Sequence, residues 1–117
     1  MIRPVDLRSD TVTRPCPRMR AAMAAAVVGD DVLEGDPTVQ RLEARGAALV
    51  GKERGLFVPS GTMGNQLALF THTERGDEVI CGRPCHIQEH EVGAAAVISG
   101  VSLVPVDAPD RKSTRLN

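Results

Sequence analysis

The chain has 117 residues and carries 14 Lys and Arg against 15 Asp and Glu, a net charge of −1; 42% of it is hydrophobic, and Phe57 and Phe70 are its only aromatic residues. That length allows one domain at most, and the composition is that of a folded globular protein. No apolar run approaches the ~18 residues of a membrane span, the start lacks a signal-peptide core, and the near-neutral charge with so few rings argues against nucleic acid as partner.

The charge is uneven. Residues 1–109 balance at −3, whereas residues 110–117 carry +2, and apolar patterning stops at Ala108-Pro109. The reading is therefore a folded segment over 1–109 followed by an atypical basic tail over 110–117. Cys16, Cys81 and Cys85 form no C-x-x-C pair, which fits reduced thiols and a cytoplasmic location.

In chain order, Pro17 opens a predicted helix that runs to Val28 and stops at Gly29. Asp36-Pro37 repeats the start signal, and Val39, Leu42, Gly46, Leu49 and Val50 trace one helical face before Gly51 ends it. Gly55 to Ser60 suits a short buried strand. Gly61 to Asn65 is a predicted turn into a helix over Gln66–Phe70. Glu78–Cys81 reads as a strand, Glu89–Ala96 as a short helix and Val101–Val106 as a third strand. Alternation at this pitch predicts an α/β architecture with a mainly parallel sheet. Three strands are few for such a sheet, so it is expected to be incomplete, marginally stable and open along Val101–Val106.

Two clusters carry chemistry. Ser60-Gly-Thr-Met-Gly-Asn65 places small residues where a strand gives way to a helix. Unpaired N–H groups there, with the Thr62 hydroxyl, suit a phosphate; alternatively the segment is a tight turn capped by Thr62. It matches neither a P-loop nor G-x-G-x-x-G. His86-Ile-Gln-Glu-His90 fits the inverted zinc-peptidase pattern, with Glu89 as base. It equally fits a lone His86 pointing into a site at the sheet's C-terminal edge, with His90 as a solvated helix residue.

Taken together, Asp6-Leu-Arg-Ser-Asp-Thr-Val-Thr13, Gly29-Asp-Asp-Val32, Asp36-Pro-Thr-Val39, Leu56-Phe-Val-Pro-Ser-Gly-Thr-Met-Gly-Asn65, Gly76-Asp-Glu-Val79 and His86 resemble the N-terminal part of a threonine aldolase, over about residues 2–107. The resemblance implies the N-terminal part of the large domain of a fold-type-I pyridoxal-phosphate-dependent enzyme. It implies pyridoxal 5′-phosphate as cofactor, bound at its phosphate by Gly61 and Thr62. His86 would stack on the ring and help deprotonate the substrate's β-hydroxyl, and Ser9 would lie near the substrate carboxylate. The implied reaction cleaves L-threonine or L-allo-threonine to glycine and acetaldehyde, in a cytoplasmic dimer of dimers, with no metal, membrane or nucleic acid involved.

Leu33 stands where many members of that family carry an aromatic residue that a neighbouring subunit's site uses. Gln88 and His90 follow His86 where the family usually has aromatics. Both departures bear on substrate preference. The family's cofactor-binding lysine, its acid at the pyridine nitrogen and its carboxylate-clamping arginine correspond to positions beyond 117, so the isolated chain is expected to be inactive. Lys52 is expected to be a surface residue, and Lys112 falls in the basic tail. The runner-up readings are a zinc-dependent hydrolase built on His86, Glu89 and His90, and a non-catalytic phosphate-binding interaction domain.

Overall fold

A computed structural model describes residues 5–107. They divide into two compact units that meet at Phe57 and Val58.

In the first unit a 3-10 turn, Asp10–Val12, precedes α1, Pro17–Ala24, and α2, Pro37–Leu49. Both helices begin with proline, whose missing N–H costs nothing there. α1 ends four residues short of Val28, the predicted last residue. Beyond it the chain is tied elsewhere: the Thr38 hydroxyl donates to the Val27 carbonyl at 2.6 Å and the Gly29 N–H to Asp36 Oδ2 at 3.1 Å. Asp36 also accepts from the Thr38 and Val39 N–H groups at 2.8 and 2.9 Å, capping α2. The Val39 and Gly29 N–H groups hold its carboxyl below the usual range against the opposing effect of desolvation. Gly29 has a steric reason to be glycine, since a Cβ there would sit 2.7 Å from the Gly35 carbonyl oxygen.

The strand expected over Gly55–Ser60 does not form. The Phe57 N–H donates to the Glu43 carboxylate at 2.7 Å instead of to a neighbouring strand. Gly55 passes so close to α2 that a Cβ would lie 2.8 Å from the Glu43 carbonyl oxygen. Lys52 is exposed just beyond α2, as expected.

The second unit holds α3, Gly61–His72; β1, Glu78–Arg83; a single turn α4, His86–Glu89; a π-helical turn, Ala95–Ser99; and β2, Ser102–Asp107. β1 and β2 pair in parallel, with Val79 opposite Leu103 and Ile80 opposite Val104. The architecture is α/β as expected, with two strands rather than three among the described residues. Leu69 of α3, Ala95 of the π turn and Val101 form the buried cluster, and Val79 and Leu103 pack on it from the sheet. On the opposite face Ile80 is 73% exposed, whereas parallel sheets are normally covered on both sides.

Two further expectations change here. Gly61 to Asn65 is already helical, and Ser60, not Thr62, is the cap: the Met63 N–H donates to Ser60 Oγ at 3.1 Å. The helix expected over Glu89–Ala96 is broken. α4 stops at Glu89, and Val92 and Gly93 take positive φ of 53° and 73° before the π turn begins. The break turns Glu91 inward, where it is 4% exposed, and throws Val92 outward, where it is 94% exposed.

Candidate active site

The start of α3 carries backbone donors without partners among the described residues. A helix leaves its first N–H groups without intrahelical partners. Ser60 Oγ takes that of Met63, and Gly64 bonds back to the Ser60 carbonyl at 3.2 Å. The N–H groups of Gly61 and Thr62 have no partner among the described residues. Open space lies where a Gly61 side chain would go, with nothing among the described residues within 4 Å of a Cβ. Two free donors, a helix dipole and an unobstructed approach fit a phosphate.

One turn further along, α3 presents Asn65 and Gln66 to Glu91. Asn65 Nδ2 donates to Glu91 Oε1 at 2.7 Å and Gln66 Nε2 to Oε2 at 2.6 Å. His86 Nδ1 lies 2.7 Å from Glu91 Oε1. Burial by itself would raise the Glu91 carboxyl. The hydrogen bonds from Asn65, Gln66 and His86 outweigh it and hold the group below the usual carboxylate value. The Glu91 side chain has no exposed surface, while that of His86 is 53% exposed. An ionised carboxylate only accepts, so both amides must turn their NH2 groups toward it. Gln66 Oε1 is thereby left buried without a partner among the described residues.

The structure thus links Gly61, Thr62 and His86 through one helix and one carboxylate. Ser9 belongs to the first unit. Its Oγ accepts from the Thr11 N–H at 3.2 Å and lies 2.8 Å from the Thr11 hydroxyl, so it caps the 3-10 turn.

The residues of the inverted zinc-peptidase pattern do not share one helix face. His90 lies beyond the end of α4, with its ring centroid 5.1 Å from that of His86, and Glu89 Oε2 is 3.9 Å from His90 Nε2. No group of three His, Cys, Asp or Glu side chains that could hold a metal occurs among the described residues. Sequence reasoning picked Glu89 and missed Glu91. The available signal was polar residues at the front of two apolar runs, Asn65-Gln66 before Leu67 and Glu91 before Val92.

Nearby, the Cys81 thiol is pushed up to about 11, by burial first and then by its hydrogen bond with Cys85. Such a group is a poor nucleophile. No helix among the described residues is long and apolar enough to cross a membrane.

A parallel strand pair, preceded by a helix with free N-terminal donors and joined through a turn whose histidine is backed by a buried carboxylate, defines an α/β segment. The family model for beta-eliminating lyases matches residues 6–117. The chain belongs to that family. It is 56% identical over 102 residues to low-specificity L-threonine aldolase 1 of Arabidopsis thaliana, covering 86% of this chain and 28% of that protein. It is 51% identical over 104 residues to the low-specificity L-threonine aldolase of Escherichia coli K12, covering 89% and 31% respectively. Protein R102.4 of Caenorhabditis elegans is 52% identical over 113 residues, with coverage of 97% and 27%. The chain therefore spans less than a third of the length of these relatives.

Proposed function

We propose that this chain is part of a pyridoxal-phosphate-dependent aldehyde-lyase that cleaves L-threonine or L-allo-threonine to glycine and acetaldehyde. The carrying observation is the free N–H pair of Gly61 and Thr62 on the same helix that supports His86 through Glu91. The names of the aldolase relatives support the same reading.

The residues present fit the cofactor. The Gly61 and Thr62 N–H groups would hold its phosphate, with the Thr62 hydroxyl as a further donor. The half-exposed His86 ring would stack on the pyridine. Bound there, the cofactor supplies an electron sink for the breaking Cα–Cβ bond. His86 receives the proton of the substrate's β-hydroxyl, a task suited to an imidazole near neutral pH. Ser9 binds near the substrate carboxylate. The reading also carries a cytoplasmic dimer of dimers, and exposed Val28, Val32 and Leu33 supply apolar surface for a neighbouring subunit.

Acetaldehyde release from L-threonine by the full product of the reading frame is the test. The reading expects turnover that requires pyridoxal phosphate, resists chelators and is absent from the 117-residue chain alone. Chelator-sensitive hydrolysis, or tight phosphate binding without any turnover, would replace it with one of the two alternatives.

A further inference from the structure

We infer that Glu91 is a positioning residue that fixes the His86 ring with its proton on Nδ1, leaving Nε2 as the atom that accepts the substrate's hydroxyl proton. The inference deepens the lyase reading and rests on it for the identity of that proton.

A neutral imidazole carries one proton and can place it on either nitrogen; free histidine favours Nε2. An ionised carboxylate 2.7 Å from Nδ1 reverses that preference, because only Nδ1–H can donate to it. The carboxylate is itself immobile. Oε1 is shared by His86 and Asn65, and Oε2 is held by Gln66 at 2.6 Å. Its side chain has no surface open to water that could compete for the bond.

Two costs are accepted to keep it there. Gln66 spends its NH2 group on Glu91 and buries its own carbonyl unpaired. Val92, a β-branched residue, sits at φ 53°, a region such residues avoid. Both strains fall on residues that hold or follow Glu91, and the Val92 side chain itself faces solvent. Placing a buried acid behind His86 accounts for both.

The arrangement has a mechanical consequence. Asn65 and Gln66 lie within one and a half turns of the Gly61–Thr62 donors on α3. The element that anchors the phosphate thus also orients the ring's acceptor nitrogen.

The test is a nitrogen NMR measurement on the full reading-frame product labelled with ¹⁵N-histidine, at a pH where histidine side chains are neutral. His86 resonances are assigned by their loss in His86→Asn. The wild-type protein should show a protonated Nδ1 and a bare Nε2 at His86. Glu91→Leu, with its fold checked by circular dichroism, should reverse the pattern so that Nε2–H predominates. A wild-type spectrum dominated by Nε2–H overturns the inference and needs no variant to fold. A folded Glu91→Leu protein that keeps the wild-type pattern overturns it as well. Absorbance of added pyridoxal phosphate on the same samples separates the two readings. Nδ1–H without cofactor uptake sinks the lyase reading alone, and uptake with Nε2–H sinks the positioning role alone.

Discussion

Asn65 and His86 share a single acceptor: each places a nitrogen 2.7 Å from Oε1 of Glu91. One residue comes from α3, the other from the turn after β1. The carboxylate between them joins the two halves of the site, and its removal should be felt in both.

Glu91→Ala strands the NH2 groups of Asn65 and Gln66 and the buried end of His86. Leaving buried donors unpaired costs roughly 1–3 kcal/mol each, so a total loss of about 3 kcal/mol is expected in urea unfolding of the second unit. A loss under about 0.5 kcal/mol, the level of ordinary surface substitutions, would show that the network is not formed in solution.

Acid should act through the same group. The Glu91 carboxyl lies below its ordinary value of 4.5 in the fold. A group depressed in this way adds stability above its unfolded value and loses it as pH falls through the folded one. The wild-type urea midpoint should therefore drop more steeply than that of Glu91→Gln as the pH is lowered below about 4.5. Parallel curves would assign acid sensitivity to other carboxylates.

Val92 offers the converse change. Its side chain is exposed and its φ of 53° suits asparagine far better than a β-branched residue. Val92→Asn should raise stability by roughly 1 kcal/mol, the low end of the strain at such positions. Thermal unfolding of the two proteins side by side would reveal the gain or its absence.

The three thiols should differ in reactivity. Cys16 is exposed, Cys85 is buried, and Cys81 is pushed up to about 11 by burial and by Cys85. Iodoacetamide at neutral pH should label Cys16 first, with Cys81 and Cys85 modified only on unfolding. Prompt labelling of Cys81, followed by mass spectrometry, would contradict the packing around β1.

Much of this fold was legible because its signals are local. Pro17, Asp36-Pro37 and Gly51 mark helix ends by backbone chemistry that needs no tertiary partner. The parallel pair over Glu78 and Ser102 followed from alternation of strands and helices. The helix start at Gly61 and Thr62, with its unpaired N–H groups, was readable for the same reason, although the cap proved to be Ser60. The misses share a different cause. Leu56-Phe57-Val58 has strand propensity, yet Glu43, fourteen positions away, takes the Phe57 N–H. Glu89 to Ala96 has helical propensity, yet burial of Glu91 under Asn65 and Gln66 breaks it. Both depend on long-range polar contacts that periodicity does not encode. In the pentad His86 to His90 the eye settles on Glu89, one turn along, rather than on Glu91, which only a break in the helix could bring to the ring.

Gly61→Ala tests the central claim most directly, because a Cβ at Gly61 meets nothing within 4 Å among the described residues. Pyridoxal phosphate is titrated into the full reading-frame product and its Gly61→Ala variant, with both melting temperatures recorded. If the Gly61 and Thr62 N–H groups hold the cofactor's phosphate, the variant should melt no lower than wild type. It should bind about tenfold more weakly, a loss of about 1.4 kcal/mol. Equal affinity at equal stability would contradict the placement of the phosphate at the start of α3.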